Sequence, residues 1–214
     1  MTAALGRRLP ALALVAVAAI AVTACVPKIP GQGKPPKLFS LTPKSSYAPD
    51  LPRVTTQLVV ETPVTAESLN STRIAVRRKP LSLDYYQGAR WTERAPLMVQ
   101  TLLVESFENS GRILAVGRRS TDLRADFVLK TDLREFQAEY GDKGETLVRV
   151  RLNLKLVKMP QRTIVAAKTV EHEITAAGDR IYQVVAAFDD ALGKVLKVSV
   201  QWTLRALAKQ AKSG

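Results

Sequence analysis

The sequence predicts an α+β domain: a largely antiparallel sheet with two amphipathic helices packed on one face. Three observations carry this. Two long runs, Ala125–Tyr140 and Thr146–Lys158, alternate apolar and polar residues on either side of the turn-forming "GDKG". Two other stretches, Pro96–Asn109 and Asp179–Gln210, instead repeat apolar residues at three- and four-residue steps. The elements run β-β-β-α-β-β-β-β-α, with strands grouped rather than strictly alternating with helices.

In order along the chain, the first 24 residues read as a signal segment. Arg7 and Arg8 precede an uncharged apolar run from Ala11 to Val22. As a helix that run is about 18 Å long, too short for a bilayer core of about 30 Å, and its basic start fits a secretory signal. It closes on Val22-Thr23-Ala24-Cys25, which resembles the bacterial lipobox, and Cys25 is the sole cysteine. Cys25 is therefore expected to carry a thioether-linked diacylglyceryl group and to become the acylated N-terminus. Two or more chains make a lasting anchor, whereas one binds only marginally. Val26 follows where an aspartate would favour inner-membrane retention, so an outer-membrane anchor facing the periplasm is expected.

Residues 25–37 form the lipidated end and a tether, rich in proline, glycine and lysine and too poor in apolar residues to fold. The domain is expected over 38–210. Leu38–Leu41 reads as a strand docked on it, and a second proline-rich stretch, Thr42–Arg53, leads to the main body. Strands are expected over Gln57–Glu61, Arg73–Arg78 and Leu81–Tyr86. Pro96 suits a first helical turn, and Asn109-Ser110-Gly111 supplies a stop. Strands over Arg112–Gly117, Ala125–Tyr140, Thr146–Lys158 and Gln161–Ala176 follow. In the last helix Ile181, Val185, Phe188, Leu192, Val195 and Trp202 fall on one stripe, expected to be core. Gly193 inside it suggests close packing.

The formal net charge is +13, which points to an anionic partner. Export argues against nucleic acid and for lipid headgroups or an acidic protein. The strongest surface feature is the outer face of Thr146–Lys158, where Arg149, Arg151 and Lys155 alternate with the apolar residues that point inward. Arg77–Lys79 and Arg118–Arg119 extend it. This face is the candidate contact for an anion or partner, and its charge reversal is expected to leave folding intact.

No catalytic set, metal site or cofactor site can be drawn. His172, the sole histidine, shares a strand face with Val170 and Ile174, while Glu171 and Glu173 lie on the other face. Asp189-Asp190 reads as a solvated helix surface. Gly111 and Gly117 are too far apart for a phosphate loop. With one histidine and a lipidated cysteine, no nucleophile–base pair remains. The chain reads as a non-enzyme.

Several segments together resemble a known family. They are the "LFSL" strand, Tyr85-Tyr86 with Arg90-Trp91 and the proline that opens the next helix, "ADFVLKTDLREFQ", and the Ala187–Leu192 stretch "AFDDAL". The likeness covers about Leu38 to Leu207 and is to the PqiC-like auxiliary lipoproteins of ABC-type transport systems. It implies an outer-membrane accessory of an Mce-type lipid transporter. The implied partners are a periplasmic Mce-domain protein and an inner-membrane permease and ATPase, with homo-oligomerisation left open. The alternative is an envelope lipoprotein that tethers or assembles partners without handling lipid.

Overall fold

The computed structural model describes residues 34–119, 124–141 and 144–212. Cys25, the expected signal segment and most of the expected tether lie outside the described residues. Pro36–Gly214 is a compact unit of its own.

Among the described residues nine strands form a single mixed sheet: β1 (Lys37–Phe39), β2 (Val54–Val60), β3 (Val64–Thr65), β4 (Arg73–Arg77), β5 (Asp84–Trp91), β6 (Ile113–Arg118), β7 (Phe127–Tyr140), β8 (Thr146–Lys158) and β9 (Thr163–Thr175). Two helices, α1 (Ala95–Ser110) and α2 (Ile181–Lys212), complete the α+β fold. The long ladders β7–β8 and β8–β9 are antiparallel, as expected. The short pairings are mostly parallel, because helical or looped crossovers separate the strands concerned.

β7 organises the sheet. One edge pairs with β8 along its whole length. The other edge is shared end to end by β2 at residues 127–129, β3 at 132–133 and β4 at 138–139, all parallel to it.

Strict alternation places Val148, Val150, Leu152, Leu154 and Leu156 of β8 fully inside, under the helices. Trp91, Phe136 and Phe188 meet at the centre of this core. Their burial against each other removes large apolar areas from water, at roughly 25 cal/mol per Å².

α1 begins behind Arg94, which offers no side-chain cap; Pro96 fixes the first turn instead. It ends at Gly111, whose φ of 59° lets its N–H donate to the Glu108 carbonyl at 3.0 Å. Among the described residues no helix is long and apolar enough to cross a membrane.

Four expectations need correction. The strand expected at Leu81–Tyr86 lies later, at Asp84–Trp91. Leu81 is instead a fully exposed turn residue with φ 64°. The strand continues past Gly88, where a φ of 67° absorbs an irregularity against β4 that reads in sequence as a break. Ile181, Val185 and Trp202 are only partly buried, and the core stripe of α2 runs instead through Val184 and Phe188 to Val200, Thr203, Leu204 and Leu207. Gly193 marks no close approach, since a Cβ there would meet open space. Asp189 is no idle surface carboxylate: Thr42 donates to its Oδ1 from both N–H (2.7 Å) and hydroxyl (2.9 Å).

That contact is one of several that fasten the proline-rich stretch after β1. The Lys44 N–H donates to Ser106 Oγ at 2.9 Å, and the Tyr47 hydroxyl to the Ser106 carbonyl at 2.6 Å. Arg205 reaches Asp50 at 3.2 Å. Burial pushes the Tyr47 hydroxyl pKa up to about 12, partly offset by its bond to Ser106. A segment with few strand hydrogen bonds is thus tied down by side chains of α1 and α2.

Candidate functional site

The sheet face turned away from the helices carries charged side chains of β7, β8 and β9 side by side. Antiparallel register across β7, β8 and β9 sorts that face into rows. Glu139 lies near Arg149, itself opposite Glu173, and Glu135–Arg151–Glu171 form the next row. Asp132–Asn153–Thr169 follow, then Lys130–Lys155–Ala167, then Val128–Val157–Ile164. The face therefore divides into two halves of different chemistry.

The first half is a closed ion-pair network. Arg149 donates to Glu173 at 2.6 Å and lies 3.6 Å from Glu135 and 3.8 Å from Glu171. Arg151 donates to Glu135 and stands 3.8 Å from Glu171. Arg77 donates to Glu139 at 2.9 Å. Burial alone disfavours the Arg149 charge, but Glu139, Glu173 and Glu135 together raise its pKa. Strand β8 taken alone is a basic stripe; in the sheet, the carboxylates of β7 and β9 neutralise two of its three cations. Arg149 and Arg151 are therefore occupied.

The second half is open. Lys155, the third residue singled out from the sequence, faces Lys130 directly across the β7–β8 ladder. Like charges in register are unfavourable. Lys130 leans to Glu61 at 3.2 Å and Lys155 to Asp132 at 3.9 Å. Arg119 shares Glu61 at 2.7 Å. Arg162, in the turn before β9, has no carboxylate partner among the described residues, and its φ of 58° is unusual for a side-chain-bearing residue. Glu61, Arg119, Lys130, Lys155 and Arg162 surround a cavity of about 670 Å³.

Its floor is apolar. Val59, Val128 and Val157 form a small cluster of their own, separate from the main core, with Ala125 and Met159 packed on it. Ile164 walls the cavity while 56% exposed. Sequence reading missed Lys130, Arg162 and this floor, though "VLK" (128–130) and "KLV" (155–157) each hold a valine and a lysine at alternate positions.

His172 lies on the helix side of β9, where burial, aided by the Lys194 charge, lowers its pKa. The described residues hold no cluster of metal-ligating side chains.

Residues 39–198 match the family described as the ABC-type transport auxiliary lipoprotein component. The crystal structure of a protein from Xanthomonas campestris is 32% identical, with a TM-score of 0.78, over 82% of this chain and 99% of that one. A second crystal structure, of an uncharacterized protein, shares the fold with a TM-score of 0.58 at 14% identity, over 83% of this chain and 99% of that one. An uncharacterized protein of Bradyrhizobium diazoefficiens is 28% identical over 192 residues, 87% of this chain. The chain spans about half the length of that curated relative. The segments that carried the resemblance help build the molecule: Trp91 and Phe188 stand at its aromatic centre, and Asp189 holds the proline-rich strap that follows β1. With the match covering its sheet and most of its last helix, the chain belongs to the ABC-type transport auxiliary lipoprotein family.

Proposed function

We propose that this protein is a lipid-anchored, periplasm-facing accessory of an Mce-type ABC transporter that moves lipids across the bacterial envelope. The family match over residues 39–198 carries the reading. The lipobox ending at Cys25, a short tether and a basic domain support it. Acyl chains on Cys25 hold the domain at the outer membrane, and the tether sets its reach toward an Mce-domain protein. The protein performs no reaction; it positions and couples. Within the basic strand face, anion or partner contact falls to Lys155 and its neighbours, since Arg149 and Arg151 are already paired.

The test has two arms. Cys25→Ala should abolish incorporation of labelled palmitate and remove the protein from the outer-membrane fraction; an unchanged distribution overturns the anchor. Affinity purification of the wild-type chain from its own envelope should recover an Mce-domain protein. Recovery of envelope proteins without any transporter component would favour the tethering alternative.

A further inference from the structure

The open half of the outer sheet face combines two features that a merely solvated surface does not need. Four cations, Arg119, Lys130, Lys155 and Arg162, line one cavity with a single lining carboxylate, Glu61. Asp132, beside Lys155, is the only other carboxylate that pairs with them among the described residues. The two lysines are forced into register opposite each other. The same cavity has a valine floor, with Met159 and the exposed Ile164 at its side. Cations over an apolar floor match an amphiphile with a negative head, and about 670 Å³ lies within the usual range for a small-ligand site.

We propose that this groove binds an anionic phospholipid. The phosphate sits among Lys130, Lys155 and Arg162, and the first carbons of a chain lie on Met159 and Ile164. The headgroup relieves the Lys130–Lys155 repulsion and gives Arg162 an anionic partner, which it lacks among the described residues. Arg162 holds a left-handed backbone that glycine or asparagine adopts more easily. Such an outlier fits a side chain kept for what it contacts. An acidic protein segment would satisfy the cations but leave Ile164, 56% exposed, without an apolar partner. The inference rests on the envelope reading above only for its setting.

The full chain, purified in a non-ionic detergent, is titrated with dihexanoyl phosphatidylglycerol, dihexanoyl phosphatidylcholine and inorganic phosphate, read by intrinsic fluorescence or native mass spectrometry. Saturable binding of the phosphatidylglycerol is expected, with the other two weaker by about tenfold. Lys155→Gln and Arg162→Gly should each lower that affinity about fivefold, and Ile164→Asn should weaken it while leaving phosphate binding unchanged. Arg162→Gly should also raise the Tm, since it relieves backbone strain; affinity and stability then move in opposite directions, which a purely structural arginine cannot produce. Equal binding of both lipids, phosphate binding as tight as the lipid's, or full affinity in Lys155→Gln and Arg162→Gly would each overturn the proposal. So would tighter binding of a polyglutamate peptide than of the lipid. These readouts use purified protein, so they can fail while the Cys25 fractionation result stands, and the reverse.

Discussion

Phe188 is fully buried, with ring centroids 5.2 Å from Trp91 and 5.0 Å from Phe136. Phe188→Ala should destabilise the domain by about 3–5 kcal/mol, read as a lower urea midpoint. An unchanged midpoint would mean that the face is open. Gly193 gives the opposite sign: with open space at its Cβ inside a helix, Gly193→Ala should stabilise by about 0.5–1 kcal/mol. His172 sets a pH limb. Its folded pKa is lowered, so between the folded and unfolded values the unfolded chain binds more protons. Stability is then full above about pH 6.5 and falls as the pH drops toward and through the folded value. His172→Gln should flatten that limb in Tm scans from pH 7.5 to 5.5. At this scale the sequence was readable where periodicity is strong. The Phe188 stripe and the inward side of His172 follow from spacing alone. Ile181, Val185 and Trp202 fall off the core because a stripe drawn at fixed spacing drifts on a long helix and leaves the core towards both ends.

Among the elements, β8 shows what an isolated strand conceals. Its alternation is legible, and its inner face is buried as expected. Its outer face depends on its neighbours. Exposed charges contribute under about 1 kcal/mol each to folding, and on that basis reversal of Arg149, Arg151 and Lys155 was expected to be harmless. The carboxylates of Glu135, Glu139, Glu171 and Glu173 change this. Arg149→Glu would add a further negative charge to that group, and a loss of about 2–4 kcal/mol is expected from thermal unfolding. Lys155→Gln should stay within about 0.5 kcal/mol of wild type. The groove was hidden for a second reason. Counting outward from "GDKG" pairs Lys130 with Leu156, on the wrong face. A bulge between Leu133 and Glu135 shifts the register by one and brings Lys130 opposite Lys155. No feature of composition announces that bulge. The strap after β1 was likewise invisible, because its bonds to Ser106, Asp189 and Gln201 span 62, 147 and 153 positions. Asp189→Ala should loosen it, seen as faster amide exchange at Thr42 with little change in global stability.

Over the whole molecule, the fold class and the stacking of both helices on one side were legible, since each follows from an element's own apolar face. The parallel pairings were not, because strands as short as Val64–Thr65 carry almost no pattern. Those pairings have a consequence for how the chain comes into being. β2, β3 and β4 all require the same edge of β7, which is made after every one of them. A chain appearing N-terminus first, from a ribosome or a translocation channel, can pair β4 with β5 and β2 with β6, but cannot join those pairs into one sheet until β7 arrives; β8, β9 and α2 then close the core. A fragment ending at Arg118 should accordingly be digested rapidly by protease, while the full chain resists. For a protein read here as exported, the delay is useful: the first half stays threadable until the last half has followed it through.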